Sequence, residues 1–359
     1  MKKLFISLAL LISLSISCDN GDSPTGPTER EIIEITTDVT VVTTWAGDYI
    51  YVIKKWSFYV MNTLTIEAGA IIKFTPDGPD LTLGNSGTIV ANGTNENPII
   101  FTSYKDDAHG GDTNGDGSAT TPSPRDWGSI NTNGLNGSVF NYCQFYYGGS
   151  GSYRVTLNIY DSRATVTNCI FAYNDGSYVW YSTLDASWAH AGTVIQNNIF
   201  YDNVKPLTIG TEFSLDNSNT FHNPANISEG NDYNGIYIYS TDHITSDIIW
   251  GETEVAFIID DGDFWVNSGA SLTLENNVVL KFKSGSTLLL ADGASALVNH
   301  DGAGVYFTSY KDDSKKGDTN GDGNATSPAD GDWTGIYDDS FGTLYPYYFT
   351  WSNILYDSY

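Results

Sequence analysis

The chain has 359 residues, with 43 Asp and Glu against 16 Lys and Arg, and a formal net charge of −27. This charge excludes binding to nucleic acid, or to an anionic membrane, through a basic face. The 40% of hydrophobic residues, among them 24 Tyr, 16 Phe and 9 Trp, excludes global disorder because it supplies enough apolar area for a core. The 36 Gly and 2 Met argue against a helical bundle.

The N-terminus has the features of an export signal. Two lysines precede an apolar run from Leu4 to Ile16, which is shorter than the roughly 18 residues that span a bilayer. The stretch LSISC at 14–18 resembles a bacterial lipobox, which implies lipid modification of Cys18. We therefore predict a lipoprotein signal peptide at 1–17 and a flexible tether at 18–31. The expected location is the outer membrane or cell surface of a bacterium, with membrane contact only through the N-terminal lipid.

The rest of the chain contains an internal duplication. Residues 101–130 and 307–336 are identical at 20 of 30 positions, at a constant offset of 206. Upstream of each copy lie the similar phrases LTIEAGAIIKF and LTLENNVVLKF. The duplication predicts a first repeat at 32–248 and a second, shorter repeat at 249–359.

Short alternating apolar runs bounded by Gly, Asn or Asp predict strands, and no segment has a convincing helical period. One phrase recurs at Cys143, Cys169, Asn198 and Asn219, with spacings of 26, 29 and 21 residues. A phrase that returns every 20–30 residues favours a solenoid of stacked coils over a β-sandwich.

The phrases LTIEAGAIIKF, ANGTNENPIIFTS and GDWTGI carry a resemblance to a known architecture. With them, the chain resembles the right-handed parallel β-helix proteins that bacteria export, the pectin-lyase-like architecture. The resemblance implies an all-β solenoid. It leaves the activity open, because lyases, hydrolases, adhesins and scaffolds share this architecture.

The two cysteines of the body occupy equivalent positions in successive coils. Coils of a β-helix lie about 4.8 Å apart, so Cys143 and Cys169 are expected side by side. We favour an inward ladder of free thiols. The alternative is a disulfide, which export would permit.

Each copy of the duplication contains the acidic phrase DTNGDG. Oxygen ligands at positions 1, 3 and 5 with Gly at position 6 are typical of a calcium loop, and the phrase resembles the first half of EF-hand, dockerin and thrombospondin-type loops. Position 12 is Ser123 or Ala329 instead of Glu, so other residues must complete the shell. The alternative is a solvated turn without an ion.

Crowded carboxylates without a cation would repel one another, so we predict two structural Ca²⁺ ions, in loops 105–126 and 311–332. Trp127 and Trp333 are expected to pack against a coil where each loop returns. The predicted ligands of the first ion are Asp106, Asp107, Asp112, Asn114, Asp116, the Ser118 carbonyl and Asp126. Those of the second are Asp312, Asp313, Asp318, Asn320, Asp322, the Asn324 carbonyl and Asp332.

The sequence contains no serine-hydrolase elbow, zinc-protease motif or phosphate loop. A calcium-assisted lyase would need a basic residue, for which Arg154 and Arg163 are the weak candidates, with Lys54 and Lys73 also open. Outward aromatic residues would instead suit stacking on sugar rings. The aromatic clusters are Tyr146-Tyr147, Tyr178–Tyr181, Trp188, Tyr237–Tyr239 and Tyr345–Tyr348.

We therefore expect an exported, lipid-anchored, calcium-stabilised β-helix surface protein that acts without catalysis in adhesion or glycan binding. Its expected partner is a polysaccharide or cell-surface glycan. Two alternatives stay open: a calcium-dependent polysaccharide lyase of the pectin-lyase-like fold, and a structural fragment of a larger surface protein. The sequence does not predict the oligomeric state.

Overall fold

A computed structural model describes residues 30–76, 78–151, 154–177, 181–239, 243–260, 262–340 and 347–359, without the side chains of 135 and 136. The predicted signal peptide, Cys18 and nearly all of the tether lie outside these residues, as do 178–180 and 345–346 of the aromatic clusters. None of the described segments forms a helix with the length and hydropathy of a membrane span.

The described chain consists of short strands joined by turns, with one 3-10 turn at Gly293–Ala296. In the first half the strands are β1 (Ile32–Ile35), β2 (Thr43–Trp45), β3 (Ile50–Ile53), β4 (Ser57–Val60), β5 (Thr63–Glu67), β6 (Ile71–Phe74), β7 (Asp80–Leu83), β8 (Thr88–Asn92), β9 (Ile99–Ser103), β10 (Ile130–Asn141), β11 (Cys143–Tyr146), β12 (Leu157–Thr167), β13 (Ile170–Ala172) and β14 (Leu184–Ala189). They continue with β15 (Val194–Gln196), β16 (Ile199–Tyr201), β17 (Leu207–Gly210), β18 (Gly235–Tyr239), β19 (Ile248–Trp250), β20 (Ala256–Ile259), β21 (Asp263–Val266), β22 (Leu272–Leu274), β23 (Val279–Phe282), β24 (Thr287–Leu290), β25 (Leu297–Val298), β26 (Tyr306–Ser309), β27 (Gly335–Asp338) and β28 (Tyr347–Tyr348).

These strands form four sheets within the described residues. One sheet has seven strands in the order β1-β3-β6-β9-β11-β13-β16, and a larger one of 14 strands has the path β2-β5-β8-β10-β12-β14-β17-β18-β20-β23-β26. Two smaller sheets contain β19-β22-β25 and β21-β24-β27-β28. Every strand pair is parallel except β27 with β28. The prediction of an all-β chain is confirmed, and its large parallel sheets are consistent with a parallel β-helix.

Stacked phenylalanine rings run through the core from one strand to the next. The rings of Phe101, Phe145, Phe171, Phe200 and Phe221 follow one another with centroids 4.6–5.4 Å apart and nearly parallel planes. Parallel pairing in constant register brings the same side chain to the same place in each strand, so apolar area is buried continuously. The hydrophobic core extends without a break from Val39 to Ile354.

The first residues of the recurring phrase stack on one another in successive passages of the chain. Cys143 and Cys169 are buried free thiols, of which the first opens β11 and the second directly precedes its parallel neighbour β13, so the predicted cysteine ladder is confirmed. The next two members are asparagines: Asn198 Oδ1 accepts the backbone N–H of Cys169 at 3.0 Å, and Asn219 Oδ1 accepts that of Asn198 at 3.1 Å. Asparagine suits these turns because it satisfies buried backbone groups that no strand partner reaches.

Candidate functional site

Three carboxylates converge in each acidic loop. Ligand oxygens of Asp107, Asp112 and Asp116 all lie within 4.8 Å of one another, and the second copy has the same cluster, formed by Asp313, Asp318 and Asp322. We call these groups the first and second carboxylate clusters. Hard oxygen atoms gathered at this spacing are the donor set that Ca²⁺ prefers.

The hexapeptide of the first loop folds around the side chain of Asp112. Its Oδ1 accepts the N–H groups of Gly115 and Asp116 at 2.8 and 3.1 Å, and its Oδ2 accepts that of Gly117 at 2.8 Å. Both glycines have φ of 73°, the left-handed conformation that L side chains rarely adopt. Glycine at the fourth and sixth positions of DTNGDG therefore permits the tight turn around Asp112.

One carboxylate oxygen in each cluster is buried and has no hydrogen-bond partner. These atoms are Oδ1 of Asp107 and Oδ1 of Asp313, at equivalent positions of the two copies. An unpartnered buried carboxylate oxygen costs free energy, and a cation would remove that cost. The donor set and the unpartnered oxygens together fit a hard divalent cation.

Asn114 and its counterpart Asn320 lie beside the clusters. Asn114 Nδ2 donates to Asp116 Oδ2 at 3.0 Å, and its Oδ1 accepts the Asp116 N–H at 3.2 Å. Asn320 makes the same two contacts with Asp322. Ser118 and Asn324, predicted to contribute carbonyl oxygens, lie in the exposed turns that follow.

Asp106 and Asp126 are bound by protein donors outside the first cluster. Asp106 is buried, and His109 Nδ1 lies 2.6 Å from its Oδ2. Asp126 accepts from Ser103 Oγ and from Lys105 Nζ, both at 2.7 Å. Burial acts to raise the pKa of Asp106, but hydrogen bonds from His109 and Thr102 outweigh it, and the pKa is lowered.

The second copy repeats this arrangement without the histidine. Asp312 Oδ2 accepts from Thr308 Oγ1 at 2.7 Å, and Asp332 accepts from Ser309 Oγ at 2.7 Å and Lys311 Nζ at 2.6 Å. Four of the predicted ligands, Asp106, Asp126, Asp312 and Asp332, thus hold the loops to neighbouring strands. None of these four residues belongs to the first or the second carboxylate cluster.

A buried lysine lies beneath each loop. Lys73 on β6 is fully buried, and its Nζ donates to the carbonyls of Asp106 and Gly111 at 2.8 and 3.0 Å and to Thr113 Oγ1 at 2.6 Å. Lys281 on β23 donates to the Gly317 carbonyl and to Thr319 Oγ1. Because these amines are committed to the loops and shielded from solvent, Lys73 is poorly placed to act as the base of a lyase.

A tryptophan closes each loop, as expected from the sequence. Trp127 and Trp333 are both buried, and Nε1 of Trp127 donates to the Tyr146 carbonyl at 2.7 Å. Nε1 of Trp333 donates to the Leu355 carbonyl at 2.9 Å. Each loop is therefore fixed at its return by a ring that joins it to the following passage of the chain.

A cleft of about 560 Å³ lies on the outer face of the 14-stranded sheet, separate from the carboxylate clusters. Its aromatic side chains include Tyr160 and Trp188, which are 52% and 40% exposed, and Tyr239. The ring centroids of Tyr160 and Trp188 are 6.4 Å apart, and those of Trp188 and Tyr239 are 5.5 Å apart. The polar lining includes Asp80, Thr82, Ser129, Asn131, Asn133, Arg154 and Asn158.

Of the two arginines predicted as weak lyase candidates, only Arg154 lines this cleft. Its guanidinium donates to Asp175 Oδ2 at 3.2 Å and to Ser177 Oγ at 2.6 Å, so its charge is paired. Arg163 lies on the exposed side of β12, outside the cleft lining. Arg154 is thus the lyase candidate that lies at the cleft, and its guanidinium is engaged by Asp175 and Ser177.

The cleft combines residues that the sequence does not bring together. Its lining comes from strands up to 159 residues apart, between Asp80 and Tyr239, and parallel register aligns them. The aromatic residues of the lining are Tyr160, Tyr181, Trp188 and Tyr239, and the sequence singled out all of them except Tyr160. No protein-family model matches the chain, and no curated protein or solved structure is significantly similar to it.

Proposed function

We propose that this protein is an exported, lipid-anchored, right-handed parallel β-helix of the pectin-lyase-like kind, stabilised by two Ca²⁺ ions, which binds a glycan at its outer face without catalysis. The observation that carries the binding function is the cleft, where Tyr160, Trp188 and Tyr239 present neighbouring rings to solvent. Exposed rings beside amide and carboxylate groups match the faces and hydroxyls of sugars.

The β-helix proposal rests on strand pairing and side-chain ladders. Strand β6 pairs in parallel with β3 on one side and β9 on the other, each from a neighbouring passage of the chain. Phe171, Phe200 and Phe221 follow one another at spacings of 29 and 21 residues, the same as those between Cys169, Asn198 and Asn219. These features are expected where successive coils stack in register.

The calcium proposal rests on the duplicated unpartnered oxygens of Asp107 and Asp313. We propose that each ion is held by the three carboxylates of its cluster, with the neighbouring Asn114 or Asn320 amide oxygen and water completing the shell. The ion would offset the mutual repulsion of the carboxylates and fix a long loop to the sheet. Its role would be structural, because Arg154 is paired and the cleft is lined by other residues.

The calcium proposal is tested by thermal melting of the purified chain in 1 mM Ca²⁺ and in excess chelator, conditions chosen for extracellular affinities of about 10⁻⁴–10⁻³ M. We expect a higher Tm with Ca²⁺, and we expect Asp112→Ala with Asp318→Ala to abolish the difference. Asp330→Ala is the matched control, because this exposed carboxylate lies in the second loop but outside its cluster. A Ca²⁺ effect that survives in the double variant contradicts the assignment.

The glycan proposal is tested by measuring binding of soluble polysaccharides and, in the same samples, the absorbance of unsaturated products. We expect binding without product, and loss of binding in Trp188→Ala. Product that disappears in Arg154→Ala would instead favour the calcium-dependent lyase. If the chain neither binds nor cleaves any polysaccharide, the result would favour the remaining alternative, a structural fragment of a larger surface protein.

A further inference from the structure

The charged side chains among the described residues of the cleft lining are Asp80 and Arg154. Arg154 is paired with Asp175, which also lies 3.3 Å from Arg125 Nε. The carboxylate of Asp80 therefore has no cationic counterpart within the lining. The formal net charge of the chain is −27, so the surrounding field is negative as well.

Asp80 is held firmly at the cleft as a hydrogen-bond acceptor. Its Oδ1 accepts both the N–H and the Oγ hydroxyl of Ser129 at 2.8 Å. Gly128 permits this approach, since a Cβ there would lie 2.2 Å from Asp80 Oδ1. A carboxylate fixed in this way is oriented to accept hydroxyl hydrogens from a ligand.

Amide side chains continue from Asp80 along the cleft floor. Asn131 Nδ2 donates to Ser129 Oγ at 2.7 Å, and Asn158 Nδ2 donates to Asn131 Oδ1 at 3.2 Å. Parallel register places Thr82, Asn131 and Asn158 in one row on successive strands. This polar row runs across the strands, as do the exposed rings.

A glycine allows the aromatic rings to meet across two strand intervals. Tyr160 on β12 pairs with Trp188 on β14. The next strand, β17, has Gly210 at the position that pairs with Tyr239 on β18. Without a side chain at 210, Trp188 reaches the ring of Tyr239. A Cβ at 210 would also lie 2.7 Å from the Ser187 carbonyl oxygen.

We infer, on the basis of the proposed glycan-binding function, that the cleft binds an uncharged hexopyranose chain lying across the strands, with sugar faces on Trp188 and hydroxyls on Asp80 and the asparagines. A polyuronate would bring its carboxylates towards Asp80 in a negative field, and Arg154, the cation among the described lining residues, is already engaged by Asp175 and Ser177. The aromatic and amide groups that dominate the lining need no charge on their ligand.

The test is isothermal titration of the calcium-saturated chain with three probes: a neutral β-1,4-glucan oligosaccharide, an oligogalacturonate and a chitosan oligomer. We expect the neutral probe to bind best, with an affinity that changes less than about twofold between 0.1 and 1 M NaCl, because screening acts on charges. Trp188→Ala and Asp80→Asn should each weaken binding about tenfold, a loss of roughly 1.4 kcal/mol. Tyr347→Ala, which removes a 55% exposed ring outside the cleft, should leave the affinity unchanged.

The outcomes separate this inference from the proposed function. Preference for the oligogalacturonate or for chitosan overturns the inference and leaves glycan binding intact. Binding to no probe, by a chain whose circular dichroism and Tm are those of a folded protein, overturns both. Neutral binding that Trp188→Ala and Asp80→Asn leave unaltered also overturns the inference, because the ligand then lies elsewhere.

Discussion

The indole ring of Trp333 lies parallel to the phenyl ring of Phe282, with 4.1 Å between their centroids and 8° between their planes. The pair formed by Trp127 and Phe74 has a separation of 4.2 Å and the same angle. Two segments 206 residues apart thus close their acidic loops on the same core contact. The duplication preserved the packing beneath each loop as well as the carboxylates within it.

Replacing Trp333 with Ala is expected to lower the free energy of unfolding by about 3–5 kcal/mol, because a fully buried indole leaves a cavity and an unpaired carbonyl. Chemical denaturation measures the change. Trp56→Ala is the control, since that side chain is 67% exposed and its loss should change stability by less than about 0.5 kcal/mol. Equal effects of the two substitutions would contradict the packing described.

Lys281→Met is expected to lower the Tm more in chelator than in Ca²⁺. Burial lowers the pKa of Lys281 to about 8, while the charges of Asp312, Asp313 and Asp318 oppose that shift. Without an ion the ammonium is the positive charge that balances these acids from below, whereas a bound ion would take over this role. Melting curves under both conditions provide the measurement.

Lys311→Met is the matched control for this prediction. Its ammonium pairs with Asp332, outside the second carboxylate cluster, and is 42% exposed. Its loss should have the same small effect with and without Ca²⁺. If Lys281→Met lowers the Tm by the same amount with Ca²⁺ and with chelator, the charge of Lys281 does not compensate for the missing ion.

Asp185→Asn is expected to stabilise the protein at neutral and alkaline pH. Burial raises the pKa of Asp185 to about 7 despite hydrogen bonds from Ser187, and its Oδ2 has no partner. Because the unfolded value is about 3.9, the native state holds the extra proton between these values, and stability is lost as pH rises through about 7. The gain from the substitution should therefore be small at pH 4, grow up to pH 7 and then level off.

Chemical denaturation between pH 4 and 9 measures this profile. Glu96→Gln, at an exposed carboxylate, should be neutral at every pH. A gain from Asp185→Asn that is the same at pH 4 and pH 8 would mean that the carboxyl is not buried as described.

The two buried thiols are expected to be unreactive in the native state. Burial raises the pKa of Cys143 above its ordinary value, with a further contribution from Cys169, so little thiolate forms. In a chain carrying Cys18→Ser, a thiol reagent should detect two thiols in denaturant and almost none without it. Detection of no thiol in denaturant would indicate a disulfide.

The sequence predicted the parts of the structure that repeat. The phrase containing Cys143 and Cys169 indicated the register of the strands, because equivalent side chains must stack. The spacing of acids and glycines indicated that Asp112 and Asp116 converge. Both inferences depend on local spacing or on direct repetition, which a single sequence displays.

The repeat could not separate ligands from supports. Asp106 and Asp126 recur in the second copy and bind Thr102, Ser103 and Lys105, and recurrence alone does not distinguish such a supporting contact from metal ligation. Lys73 was left open as the base of a lyase, but all four residues of β6 are buried. The cleft was beyond prediction because its residues become neighbours only through the register of distant strands.

The boundary between the two repeats lies within the sheet structure, so the chain does not divide there into two independent units. The predicted boundary between residues 248 and 249 falls inside β19, and β18 pairs with β20 across it. Two fragments separated there would each present a row of unpaired backbone groups complementary to the other. Co-produced as a split protein, they should reassociate by restoring a single sheet.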